Sequence, residues 1–104
     1  MRGEALKSQL ELLLLAALDR EPAHGYQLVD QLKQRSGGVL DFPEGSVYPA
    51  LYRLERGGQV TSKWRRVDGR RRRIYRLTPR GRSELKAKRN EWNIVVRAMR
   101  AVLA

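Results

Sequence analysis

Leu10, Leu13, Leu14, Ala17 and Leu18 follow one another at steps of three and four, a spacing that predicts an amphipathic helix from about residue 9 to 19. Ser8 and Glu11 stand at capping-box spacing at its start. The other side of the same run, Leu12, Leu15 and Ala16, is apolar too, so this helix is expected to be covered on more than one face, by neighbours or by a subunit contact. Residues 1–7 are expected to be disordered or to add a turn. Pro22 interrupts the pattern, and a second helix over residues 24–35 places Gly25, Leu28, Val29 and Leu32 on one face before Gly37 and Gly38 stop it. In the connection that follows, Leu40 and Phe42 are expected to tuck beneath the helices.

The stretch from Ser46 to Arg56 is helical in pattern but carries Pro49. Proline lacks an amide donor and fits a helix without loss only in the first turn, so Ser46 is expected as N-cap and Pro49 as the third helical residue. Val47, Ala50, Leu51 and Leu54 then form the inward stripe, while Ser46, Pro49, Tyr52, Arg53 and Arg56 point away. Past Gly57 and Gly58 the period changes to two. Two strand-like runs flank Asp68-Gly69, the signal for a two-residue type I′ turn. Such a turn pairs Val60 with Leu77, Ser62 with Tyr75 and Trp64 with Arg73, and puts Val60, Trp64, Tyr75 and Leu77 on one face, expected to pack inward near its base, with an arginine across Trp64. Thr78 and Pro79 read as N-cap and first residue of a last helix reaching nearly to Ala104. On it Leu85, Trp92 and Met99 recur every seven residues, and Lys88, Val95 and Val102 follow three positions after each, a coiled-coil seam that Lys88 weakens.

Charge sharpens this picture because it is uneven. The net charge of +11 divides into -1 up to Gln59 and +12 from Val60 onward. Between Arg65 and Arg73, six of nine residues are arginine and one is acidic. Like charges so crowded repel one another, and a folded domain tolerates them where an anion is to be met, so nucleic acid is the expected partner. A chain of 104 residues supports one small core. No run is long enough to span a bilayer and no secretory leader precedes the first helix, so no membrane association and a cytoplasmic location are expected. The absence of cysteine excludes a disulfide framework, a thiolate zinc site and a catalytic thiol, and the one histidine, His24, stands where a helix should begin. No histidine–carboxylate pair, metal cluster or phosphate-cradling glycine loop is visible, so neither an enzyme nor a cofactor is expected.

Three helices, a two-stranded hairpin and a long helix make a mostly α (α+β) chain, a winged helix-turn-helix with a DNA-binding unit over residues 1–78 and a dimerisation helix over 79–104. In that fold the third helix enters the major groove, and the hairpin wing lies along the backbone or reaches the minor groove. The residues of "ELLLLAALDREPAHGYQLVDQL", "EGSVYPALYRLERGGQV" and "RRIYRLTPRG" resemble the PadR family of bacterial transcriptional regulators across roughly Leu10 to Gly81. The resemblance implies a dimeric repressor, paired through its last helix, that binds an inverted-repeat operator and is released by a small effector. It also places Tyr48 and Pro49 at the start of the recognition helix and Tyr26 in the second helix, where it touches a phosphate or packs.

Ser46, Pro49 and Arg53 share the outward face near that start and are the best candidates to meet base edges, an arginine there preferring guanine O6 and N7. Gln27, Lys63 and the wing arginines Arg65, Arg66, Arg70, Arg71, Arg72 and Arg73 complete the candidate DNA contacts. Leu85, Trp92, Val95, Met99 and Val102 are the candidate dimer residues. Trp92 also resembles the place where some family members stack a flat ligand, which makes it the candidate effector contact. The competing reading is a sequence-tolerant architectural or RNA-binding basic protein, which explains the arginines but gives Ser46, Pro49 and Arg53 no purpose.

Overall fold

The leucine-rich run forms α1 (Leu10–Arg20), with Gln9 at its N-cap, in a computed structural model that describes residues 9–104. Ser8, with the capping box expected around it, and residues 1–7 lie outside the described residues. α2 (Gly25–Arg35), α3 (Glu44–Arg56), β1 (Val60–Val67), β2 (Arg70–Leu77) and α4 (Pro79–Leu103) follow, giving a mostly helical winged helix-turn-helix. The core is apolar: Leu10, Leu14, Leu15 and Leu18 of α1 meet Leu28 and Leu32 of α2, Val47, Leu51 and Leu54 of α3, and Tyr75 and Leu77 of β2. Burial of each such side chain contributes about 1.5–3 kcal/mol, which is what fixes the three helices against one another. Leu12 and Ala16, on the opposite side of α1, are partly buried against the same core. Phe42 is buried and Leu40 packs beside it, the two anchors expected of the connection.

His24 caps α2. Its Nδ1 accepts from the Gln27 amide at 3.3 Å, and its own amide donates to Gln27 Oε1 at 3.0 Å, a reciprocal box built on imidazole. The helix ends as Gly37 and Gly38 turn into the left-handed region, φ 65° and 87°, and the Gly38 amide reaches back to the Lys33 carbonyl at 2.8 Å.

α3 starts earlier than its proline suggests. Pro43, at φ -71° and ψ 152°, is the N-cap, and its carbonyl accepts from the amides of Ser46 at 3.0 Å and Val47 at 3.2 Å. Ser46 is therefore a first-turn residue rather than the cap, and Pro49 lies in the second turn, where it removes the bond to the Gly45 carbonyl. Pro43 and Glu44 outweigh Ser46 as a start signal because Pro43 is already set in an N-cap conformation and Glu44 faces the positive end of the helix dipole.

The hairpin keeps one register through eight pairs, Val60 with Leu77 to Val67 with Arg70, around Asp68 and Gly69 at φ 50° and 78°. The free edge of β2 is covered by Ala23, which exchanges both backbone bonds with Tyr75 at 3.1 and 2.8 Å. Val60, Tyr75 and Leu77 pack inward as expected. Trp64 does not: it is 55% exposed, because the buried core ends at the level of Tyr75.

Thr78 caps α4, its Oγ1 accepting from the Gly81 amide at 3.0 Å and donating to the Gly58 carbonyl at 2.7 Å. A Cβ on Gly81 would collide with the Gln59 carbonyl and Leu77, so glycine is what lets α4 dock on the end of the hairpin. Leu85 is buried in the chain's own core, which removes it from the dimer seam that its spacing suggests. Beyond it α4 leaves the core, with Trp92 42%, Val95 50%, Met99 55% and Val102 84% exposed.

Candidate nucleic-acid interface

Three elements bring the candidate residues together. Tyr48, on the flank of α3, lays its ring over Gly25 at the start of α2, so closely that a Cβ there would collide with it. Tyr26 meets Tyr48 edge to face with ring centroids 6.4 Å apart, and the guanidinium of Arg72, from the wing, lies 4.8 Å over the Tyr26 ring. Arg72 is thus half-buried on an aromatic, not held out in solvent. This stack joins α3 to the wing through α2, and it explains why glycine and tyrosine stand side by side at Gly25 and Tyr26. Burial pushes the Tyr48 hydroxyl up from its ordinary pKa, with Tyr26 and Glu44 adding to the rise and Arg72 opposing it, so the group stays a neutral donor. His24 stands edge to face with Tyr26 at 6.4 Å. Its pKa is lowered, first by burial and then by Arg72, which keeps Nδ1 free to cap α2.

On α3, Pro49, Tyr52, Arg53 and Arg56 are exposed, and Ser46 is half-buried. Arg53 is anchored: its Nε donates to Glu11 Oε1 on α1 at 3.1 Å. That bond uses the inner nitrogen and leaves the two terminal ones, the pair that suits a bidentate contact with guanine. Arg56 lies 5.8 Å over the Tyr52 ring.

On the wing, Lys63, Arg65, Arg66, Arg70 and Arg71 are exposed. Arg71 lies 5.0 Å and Arg73 5.5 Å over the Trp64 ring, so the tryptophan that the core leaves uncovered serves as a platform for two arginines where one was expected. Arg73 differs from its neighbours: its Nε donates to Ser62 Oγ at 2.7 Å, and its Nη2 is 3.5 Å from Glu55 Oε2. Gln27 is exposed and its side chain is paired with the His24 cap.

Sequence reasoning gave Glu11 only a capping role and did not find Glu55, so the two acids that hold Arg53 and Arg73 were missed. The signals for them are faint: Glu11 is a lone charge inside a leucine run, and Glu55 lies seven residues from Ser62 and eighteen from Arg73 along the chain.

Between them α1 and α4 form an open groove of about 260 Å³ lined by Gln9, Leu12, Lys88, Glu91, Trp92 and Val95. Among the described residues no group of His, Cys, Asp or Glu could hold a metal ion, and no helix is long and apolar enough to cross a membrane.

Comparison with known proteins agrees with the geometry. Residues 14–87 match the profile of the transcriptional regulator PadR-like family. The chain is 44% identical over 73 residues to a transcriptional regulator of Mycobacterium tuberculosis, covering 70% of this chain and spanning 64% of that protein's length. Among solved structures, a PadR family transcription regulator from Clostridium difficile superposes with a TM-score of 0.79 at 29% identity, covering 91% of this chain and 98% of that one. A transcriptional regulator from Clostridium thermocellum superposes with a TM-score of 0.87 over 94% of this chain and 96% of that one, a likeness of fold at 23% identity.

Proposed function

The chain belongs to the PadR-like family of transcriptional regulators, and from that premise we propose that it is a dimeric repressor that reads an inverted-repeat operator through α3 and the arginine tip of the hairpin. The observation that carries the reading is the Arg72–Tyr26–Tyr48 stack, which makes the start of α3 and the wing one surface. On that surface Ser46, Pro49 and Arg53 meet base edges, the free nitrogens of Arg53 pairing with guanine. Lys63, Arg65, Arg66, Arg70 and Arg71 neutralise phosphates on either side of the minor groove. Tyr26 and Tyr48 offer hydroxyl donors to the backbone between them.

The distal half of α4 supports a dimer, since Trp92, Val95, Met99 and Val102 expose one apolar stripe that the described residues leave open. Lys88 pairs with Glu84 four residues back, at 4.0 Å, so its charge has a partner at the edge of the stripe. A two-fold axis through that stripe sets two copies of α3 about one helical turn of DNA apart. The open groove beside Trp92 is the place for an effector, with the partner's last helix closing over it. An effector stacked on Trp92 shifts the angle between the two last helices and releases the operator. The place of action is the cytoplasm, where the chromosome lies.

The test is selection from a random-sequence duplex pool, followed by competition of the recovered duplex against bulk DNA and RNA at rising salt. A repressor enriches a palindromic site and keeps its preference. A sequence-tolerant clamp enriches nothing, and that result overturns the proposal.

A further inference from the structure

Glu55 sits where negative charge is least welcome, in the last turn of α3 beside a wing of arginines. Its carboxylate Oε2 accepts from Ser62 Oγ at 2.6 Å and lies 3.5 Å from Arg73 Nη2, while Arg73 Nε donates to Ser62 Oγ at 2.7 Å. Ser62 belongs to β1 and Arg73 to β2, so one carboxylate on α3 grips both strands. The grip falls at a particular level. Tyr75, opposite Ser62, is the outermost aromatic that the core buries, and Trp64, opposite Arg73, is already in solvent. Below this level apolar packing holds the hairpin to the body; above it the tip has the two-stranded ladder and the Arg72 contact on the Tyr26 ring, and a ribbon with so little packing is marginal in water.

We propose that Glu55 is the positioning residue of the wing: through Ser62 and Arg73 it fixes the angle of the hairpin to the recognition helix, and Arg73 serves this network instead of a phosphate. The inference rests on the reading that α3 and the tip contact one duplex. Two grooves of DNA stand at a set spacing, and a wing held at a fixed angle reaches its groove without first losing the freedom to rock. Such a role gives a purpose to an acid that stands beside a wing of almost wholly positive charge. It also separates Glu55 from a merely solvated acid by the sign of the effect. Removing a solvated acid strengthens the attraction of DNA of any sequence, whereas removing a positioning residue weakens the chosen site alone.

The experiment compares two probes, the duplex that the wild-type protein selects from a random pool and a scrambled duplex of equal length and composition. Glu55→Gln and Arg73→Gln are each expected to lower the selected-to-scrambled affinity ratio about tenfold, and the double variant to lower it no further, as groups in one network do. Arg70→Gln is expected to reduce the slope of log K against log salt by about 0.9, and Arg73→Gln to leave the slope unchanged. The proposal is overturned if Glu55→Gln tightens binding to both duplexes alike, if the two single effects add in the double variant, or if Arg73→Gln reduces the slope as Arg70→Gln does. Should Glu55→Gln fail to fold, Ser62→Ala removes the shortest link and keeps both charges; the same loss of ratio supports the proposal, and an unchanged ratio overturns it. A wild-type protein that prefers no sequence overturns the reading of function beneath it, a different failure from any of these.

Discussion

The hairpin has a base and a tip that share one backbone register and nothing else. At the base, Val60, Tyr75 and Leu77 are buried, Ala23 closes the edge, and Thr78 and Gly81 bind the following helix to the end of the strands. At the tip, from Arg65 to Arg73, side chains lie in water or on aromatic rings, and the charge is almost wholly positive. α4 repeats the division along its length, with Leu85 in the core and Trp92 to Val102 outside it. The base and the first turns of α4 are what the fold requires for its own stability; the tip and the rest of α4 add little to it. Features that a fold does not need for itself point to partners, and here they point to two, a polyanion and an apolar surface.

Truncation divides the two regions most sharply. Leu85→Ala should lose about 2–5 kcal/mol of folding stability in denaturant titration, as buried leucines do, whereas Val102→Ala should leave unfolding of the protomer unchanged and weaken self-association. Equal losses from both variants would erase the division along α4. Next in size is Arg53→Ala, expected to lose about 1–3 kcal/mol of discrimination at one base step, read by competition among single-substitution operators. Replacing Glu11 by Ala should blunt the same discrimination, because Arg53 then loses the anchor on its Nε.

Smaller again is the cap on α2. His24→Ala should remove about 1 kcal/mol of stability, since His24 satisfies the Gln27 amide. The cap also sets a pH dependence. Because the folded pKa of His24 lies below its ordinary value, the unfolded chain binds the proton more readily as pH falls. Stability should therefore decline as pH drops below about 6.5 and level off once the folded imidazole is itself protonated. His24→Asn, which keeps an acceptor but does not titrate, should flatten that decline in thermal melts taken from pH 8 to 5. The smallest effect on the fold belongs to the tip: Arg70→Gln with Arg71→Gln should change stability by no more than about 0.5 kcal/mol. A large loss there would make the tip part of the fold and undo the contrast with the base.

The order of elements, the hairpin register, the cap at Thr78 and the place of His24 at a helix start were legible in the sequence because each has a local cause. Asp68-Gly69 sets the turn, the turn sets every pair, and Thr78 followed by Pro79 is a helix-start signal with no competitor beside it. The start of α3 was not legible, because two start signals compete and Pro43 prevails over Ser46 by geometry rather than by residue type. Period-two alternation placed Trp64 on the inward face, but alternation says nothing of where the core ends, and Trp64 lies one rung beyond it. Heptad spacing likewise grouped Leu85 with Trp92 and Met99, although the body of the protein already covers Leu85. Of the candidate interface, the arginine tip was plain from composition, while the restraints on it, Glu11 on Arg53, Tyr26 under Arg72 and Glu55 on Arg73, join residues far apart in the chain and needed the fold.

The central claim is that the tip and α3 grip one duplex while α4 pairs two chains. Titration of a selected duplex across a range of salt concentrations, with the mass of the complex followed by light scattering, tests it most directly. The account predicts two chains on each duplex and a steep salt slope that falls by about 1.8 when Arg70 and Arg71 are both replaced by glutamine. A single chain on the duplex, or a slope that those two replacements do not change, would contradict it.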